Sequence, residues 1–291
     1  MTIDKIREIY NNVTIVVNSC DEYEDVLDLF FTAFNHNWKN CPFKIVINTE
    51  TNQYPQYNAR TQNYTNHLEP IDWGDRLLKT LSSIDSEFII MLYDDYILEK
   101  NIDMQEIDNA LIFLQNHIEN AVVYLVATPL ALDDEIKDNR FLKVNASSDY
   151  RLNSAPAIWR KEILVSHTRS GDTPWAWEVF GSYRTFHDNS KFYSLNPAYS
   201  DIYPYDYSEG GAIYRGKWVS KVVERIVLKH NININWAKRG ISQGIDFEKR
   251  SISWKFRFLK LGFKMIGAKM IIYLYRYLRE KFNSINDPKR K

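Results

Sequence analysis

Cysteine is scarce in this chain: Cys20 and Cys41 are the only two among 291 residues. Neither sits in a CxxC pair or beside a His pair at metal-ligand spacing, which excludes a zinc ribbon and a disulfide scaffold and makes a reducing compartment the economical reading. Uninterrupted apolar runs are also missing. Nothing approaches the length of about 18 residues that a conventional spanning helix needs. The opening MTIDKIREIY has no basic stretch leading into an apolar one, so no secretory leader is expected and the chain is placed on the cytoplasmic side. Charge of one sign is absent overall, with 37 Lys and Arg balancing 37 Asp and Glu. There is no internal repeat and no low-complexity tract.

What is present is enough apolar material for a large core, 45% of residues, and 14% aromatics including 19 Tyr and 8 Trp. The balanced charge hides an uneven distribution. Residues 249–291 hold 13 Lys or Arg against two acids, leaving 24 basic and 35 acidic residues before them. A basic tail of that kind suits an anionic surface, lipid or nucleic acid.

Apolar runs mark the elements. VTIVVN at 13–18 reads as a buried strand, followed by a loop and a helix from about 23 to 35, and FKIVIN at 43–48 repeats the strand, giving a parallel β, α, β unit. The stretch 49–70 is polar and rich in Asn and Tyr. WGDRLLKTLSSI, 73–84, spaces Leu77, Leu78, Leu81 and Ile84 as on a helix and leads into a strand at 87–92. MQEIDNALIFLQNHI then predicts a helix and AVVYLVA, 121–127, a fourth strand. Four strands alternating with three helices describe a doubly wound α/β half, whose ligands bind beyond the carboxyl ends of the strands. The remainder reads as hairpins and loops continuous with that sheet.

The third strand ends on Asp94 and Asp95 in FIIMLYDDYIL. An Asp-Asp pair is commonly a solvated turn or a helix cap. At the ligand edge of a sheet it suits a divalent cation that neutralises a departing diphosphate. A second constellation lies in GDTPWAWEVFGSY, 171–183, where Glu178 follows Trp175 and Trp177 on a helix expected to begin at Pro174. A carboxylate there is a candidate general base beside two flat indole faces; Asp172 is the second candidate base. Glu178 is equally suited to the first turn of a helix through the helix dipole.

The order strand, NSCDEYED helix, FKIVINTE, WGDRLLKTL helix, FIIMLYDDYIL resembles bacterial glycosyltransferases of the GT-A fold, similar to family 2, from surface-polysaccharide (capsule or lipopolysaccharide) biosynthesis. The resemblance spans roughly residues 10–220. It implies an α/β fold with a mixed sheet flanked by helices, a donor half at about 10–130, an acceptor half at about 131–245, and a basic helical tail at 246–291. It further implies a nucleotide-sugar donor, Mg²⁺ or Mn²⁺ held by Asp94 and Asp95, transfer of a hexosyl group to a lipid-linked or growing glycan, and peripheral attachment to the inner face of the cell membrane. By the same likeness Ser19, Asp21 and Tyr23 meet the nucleotide base, Trp73, Asp75, Arg76 and Asp94 line the donor cleft, and Trp175 and Trp177 hold the acceptor sugar beside Glu178.

Other readings stand beside these. Asp21 also suits a helix cap and Arg76 a local ion pair, and His230 reads either as a late metal or diphosphate contact or as a structural residue. Gly210, Gly211 and Gly216, with Arg215 and Lys217, read either as a close backbone approach to phosphate or as an ordinary hairpin turn. For the tail, 254–282, the options are one amphipathic helix on an anionic membrane or a packed terminal helix. Two other function classes remain in play. A nucleotidyltransferase of the same fold half needs a Gly-rich basic loop after the first strand, where this chain has acidic NSCDEYED. A non-catalytic glycan- or membrane-binding protein needs no Asp pair.

Overall fold

The computed structural model describes residues 8–62, 71–133, 139–186, 188–208, 210–244 and 250–286. The expected boundary near residue 245 lies outside them. Strand β1 is Val13–Asn18, and helix α1 (Glu24–Asn37) returns the chain to β2 (Lys44–Asn48), which lies parallel to β1 in register Asn18 to Asn48. A three-residue strand, β3 (Arg60–Gln62), follows from the polar stretch and extends the sheet beside β2. Helix α2 (Trp73–Ser82) leads to β4 (Phe88–Tyr93), parallel to β1 on its other side, and α3 (Met104–Gln115) leads to β5 (Asn120–Tyr124).

Later strands complete the sheet. They are β6 (Phe141–Lys143), β7 (Ala157–Arg160) and β8 (Lys191–Leu195), and the strand order is β3-β2-β1-β4-β7-β5-β8-β6. The α/β expectation holds, with a mixed sheet flanked by helices. The simple parallel sequence does not extend to β5, because β7 enters antiparallel between β4 and β5. The four residues of β7, AIWR, are all buried, so a strand covered on both faces and bonded on both edges is hidden in a short segment with no alternation.

Apolar side chains alternate along the central strands to serve two cores. Ile15, Val17, Ile90 and Leu92 face α1 and α3, whereas Val16, Ile89 and Met91 face Leu77 and Leu81 of α2 and Trp177. Helix α4 (Lys161–His167) adds Leu164 to the second core. Helix α5 (Pro174–Val179) follows it, begun by Pro174 as the sequence predicts and capped by Thr173, whose side chain accepts from Ala176 N–H. A small hairpin, β9 (Ile213–Tyr214) and β10 (Lys217–Trp218), then precedes α6 (Ser220–His230) and the one-turn α7 (Trp236–Arg239).

The tail forms two helices where the sequence suggested one. Helix α8 (Ile252–Ile266) ends at Gly267, whose φ of +54° favours glycine, and α9 (Lys269–Asn286) continues from there. One side of the pair packs on the domain. Ala176, Val179, Phe180 and Met270 form a third buried cluster with Phe258, Leu261 and Tyr273 around them. Gly262 is needed where α8 crosses Phe180, since a Cβ there would come within 2.7 Å of the ring.

Candidate functional site

Parallel pairing brings the carboxyl ends of β2, β1 and β4 side by side, with Asn48, Asn18 and Tyr93 in register. A buried chain of amides closes these strand ends. Thr80 donates to Asn48 Oδ1 (3.2 Å), Asn48 Nδ2 to Asn18 Oδ1 (2.9 Å), and Asn18 Nδ2 to the Leu92 carbonyl (3.2 Å). With its polar atoms satisfied, this edge holds the next residues of each strand in place.

Those next residues are Ser19, Glu50, Asp94 and Asp95. Ser19 Oγ donates to Asp94 Oδ2 at 2.5 Å, and Arg76 Nη1 donates to the Ser19 carbonyl at 3.1 Å and pairs with Glu50 at 3.2 Å. Burial pushes the Asp94 carboxyl up to about 7 even though the Ser19 hydroxyl and the charge of Arg239 pull the other way. Asp95 is raised well above the usual carboxylate range, first by burial and then by the Asp94 charge beside it. Among the described residues neither forms an ion pair.

Glu178 belongs to the same field. Its charge raises Asp95 further, and it acts in the same way on Tyr93, Tyr96 and Tyr205. Burial of Ala176 and Trp177 fixes α5 so that Glu178 turns toward this wall of tyrosines. Glu178 Oε1 accepts from the Ser154 backbone N–H (2.7 Å) and from the Ser154 hydroxyl, which also meets Tyr96 Oη at 2.9 Å. Burial raises its pKa against the pull of both Ser154 bonds. The structure therefore places Glu178, some 80 residues onward in the chain, near enough to the Asp94–Asp95 pair for its charge to be felt at Asp95 and at the neighbouring tyrosines.

Gly211 closes over Asp95. Its φ is +119°, and an added Cβ would meet the Asp95 carbonyl and Oδ2 at 3.0 Å each, while Ala212 N–H donates to the same carbonyl at 2.8 Å. Gly216 is different. It and Arg215 have φ of 79° and 51° between β9 and β10, the two positive values of a two-residue hairpin turn. Gly210 has no atom within 4 Å of where a Cβ would stand.

Several expected site residues are engaged elsewhere. Asp21 is no helix cap: its carboxylate accepts from Thr49 Oγ1 (2.8 Å), from Thr51 N–H (3.0 Å) and hydroxyl, and from Asn52 N–H (3.1 Å). Partial burial would raise its pKa, but these bonds outweigh that and hold it at about 2. With both oxygens used in tying the β1 loop to the β2 loop, Asp21 is not available to a base edge. Tyr23 lies near the acid pair and carries the Arg239 guanidinium 4.5 Å over its ring, with Arg239 Nε bonded to Asp25 at 2.9 Å.

Trp73 and Trp177 are core residues, packed edge to face at 5.7 Å, with Trp159 5.9 Å from Trp177. Neither presents a face to a sugar. Trp175 is exposed on one side, but its ring stacks on Phe258 (4.2 Å) and Trp254 (4.9 Å) of α8. Asp172 is fully buried, takes both nitrogens of the Arg184 fork at 2.6 and 2.7 Å and accepts from Arg169 N–H at 2.9 Å, so it serves as a structural anchor and not as a base. Asp75 accepts from Ser170 Oγ at 3.0 Å on the outer side of α2. His230 meets His36 edge to face at 4.8 Å, at the far ends of α6 and α1. Glu50, Ser154, Tyr205 and Arg239 were not singled out by sequence; no local pattern marks them, since each gains its role from a partner distant in the chain.

The donor set suits a hard cation. Two adjacent carboxylates, buried Asp94 and partly exposed Asp95, without an ion-pair partner among the described residues offer oxygen ligands, the type Mg²⁺ and Mn²⁺ take. Among the described residues no three His, Cys, Asp or Glu side chains gather as a complete ligand set. Mg²⁺ commonly uses one or two carboxylates and completes its shell with water and substrate phosphates.

No known family profile matches the sequence, and no curated protein matches it. Solved structures of similar chain path include residues 1–349 of Staphylococcus aureus TarS in complex with UDP-GlcNAc, with 11% identity over 89% of this chain and 82% of that one and a TM-score of 0.45. CMP:2-keto-3-deoxy-manno-octonic acid synthetase complexed with CTP is also similar, at 11% identity over 63% of this chain and 89% of that one, with a TM-score of 0.37. A nucleotidyl transferase from Methanothermobacter covers 64% of this chain and 87% of its own at 10% identity, TM-score 0.38.

Proposed function

We propose that the chain is a metal-assisted, inverting glycosyltransferase that moves a hexosyl group from a nucleotide-diphosphate sugar to a hydroxyl of a lipid-linked or growing surface glycan. The observation that supports this reading is the adjacent Asp94 and Asp95 just past β4 at the carboxyl edge of a mixed α/β sheet, with the Glu178 carboxylate near enough to raise the Asp95 pKa. Asp94 and Asp95 would hold the divalent cation, which when bound neutralises charge on the leaving diphosphate. Arg76, beside Ser19 and Glu50, adds a fixed positive charge at the same edge. Ser19 orients Asp94, and Gly211 lets the covering loop reach Asp95 without a side chain between them.

Glu178 takes the part of the base. One of its oxygens is occupied by Ser154, which leaves Oε2 to accept the proton of an acceptor hydroxyl as the glycosidic bond forms. A pKa raised by burial makes it a stronger base than an exposed glutamate. Buried Tyr96 and the partly buried Tyr93 and Tyr205 near it narrow the access of water, which favours transfer to the acceptor over hydrolysis. The nucleotidyltransferase reading lacks its loop, since the residues after β1 carry Asp21, Glu22 and no glycine.

Binding and slow hydrolysis of a panel of UDP-, GDP-, dTDP- and CMP-sugars with Mn²⁺ tests the proposal, comparing the native protein with Asp95→Ala and Glu178→Gln. The expected result is metal-dependent binding of one donor, lost in Asp95→Ala and kept in Glu178→Gln, which fails only in transfer. Absence of donor binding with and without Mn²⁺ would sink the reading and favour a non-catalytic role.

A further inference from the structure

Each tail helix has two apolar sides, and the domain covers one. On α8 the side carrying Trp254, Phe258, Leu261 and Met265 packs toward α5. The opposite side holds Ile252, Phe256 and Phe263, spaced i, i+4, i+11, and Phe256 and Phe263 are 69% and 51% exposed. On α9, Lys269 donates to the Tyr183 carbonyl (2.8 Å) and Arg276 to the Ser147 carbonyl (2.8 Å), fixing the inner side. Its outer side presents Ile271, Tyr275, Leu278 and Phe282, spaced i, i+4, i+7, i+11 and all more than 60% exposed. At about 100° per residue each set falls within a stripe roughly 60° wide. Such stripes on well-packed helices are not ordinary surface composition.

Charge selects the partner. Helix α8 carries Lys255, Arg257, Lys260 and Lys264 and no acid. By the same helical geometry Lys255 and Lys260 flank its stripe on either side. Two tails meeting face to face would bring like charges together. No helix among the described residues is long and apolar enough to cross a bilayer, so these stripes suit a surface. We propose that the outer sides of α8 and α9 seat the protein on an anionic phospholipid bilayer, with Phe256, Phe263, Ile271, Leu278 and Phe282 entering the headgroup boundary and the flanking cations meeting lipid phosphates.

Flotation of the full chain with phosphatidylglycerol-containing and pure phosphatidylcholine vesicles tests this. Binding is expected to the first and not the second, weakening as salt is raised. The double variant Lys255→Gln/Lys260→Gln should bind about 30-fold more weakly, at on the order of 1 kcal/mol for each basic group. Phe256→Ser/Phe263→Ser should lose at least about tenfold at unchanged Tm, because both rings are exposed. Failure to bind anionic vesicles, or binding unchanged in both variants, would overturn the proposal. So would self-association of the native chain that Phe256→Ser/Phe263→Ser abolishes without vesicles, since a second copy would then be the occupant.

Discussion

The loops after β1 and β4 lie side by side on one edge of the sheet, and each carries an aspartate within its first three residues, yet they treat it in opposite ways. Asp21 is surrounded by donors from residues 49–52 and is held at about 2. Asp94 has one hydroxyl at 2.5 Å, is more deeply buried, and rises to about 7. A carboxylate used as a strap has its lone pairs filled by the fold. One kept for a ligand is left short of partners, and the fold bears the cost of burying it. Asp172, fully bonded to Arg184 and Arg169, belongs with Asp21.

The contrast breaks most sharply at Asp95. Asp95→Ala should lower donor turnover on the order of 10³-fold while leaving the circular dichroism spectrum and Tm near native values; a comparable loss of fold would make Asp95 a strap as well. Asp172→Ala should do the reverse, costing about 3–5 kcal/mol in urea denaturation because Arg184 is left buried without its partner. Retained stability would move Asp172 back among the candidate bases.

Asp94→Asn sharpens the comparison through pH. Because the folded-state pKa is raised, the folded protein binds a proton that the unfolded chain has released, so this group makes cation-free stability fall as pH rises from about 4 to about 7. The amide should flatten that slope and raise cation-free stability at pH 8 by on the order of 2 kcal/mol, seen as a higher Tm, while activity is lost. The smallest effect is expected at Asp21, whose depressed pKa has the opposite sign. Its contribution is present above the unfolded value and is lost as pH falls from about 4 toward about 2. Asp21→Asn should cost about 1 kcal/mol at neutral pH and abolish that acid limb in a thermal scan.

These same residues show what the sequence could disclose. β1, β2, β4 and β5 are continuous apolar runs, and their ends place Ser19, Asp94 and Asp95 at the ligand edge before any coordinates are known. The helix start at Pro174, and with it the place of Glu178 on α5, was also legible. The tryptophans were not, because whether an indole faces a cleft or a core is decided by distant partners: Trp159 on β7 for Trp177, and Phe258 on α8, 83 residues onward in the sequence, for Trp175. β7 itself was hidden by its four-residue length. Asp21 read as a base contact or a cap because its actual donors arrive from the next βα unit.

The stacking of Trp175 between α5 and the tail has a practical meaning for anyone shortening this protein. α5 spans only six residues, too few to hold its shape alone, and the rings of Trp254 and Phe258 act as its buttress three positions from Glu178. Cutting the chain before residue 250 would expose Ala176, Val179 and Phe180 and leave the carboxylate on an unsupported turn. A truncated protein that fails to transfer sugar would thus say nothing about membranes, whereas changes on the outer stripes alter attachment and spare the buttress.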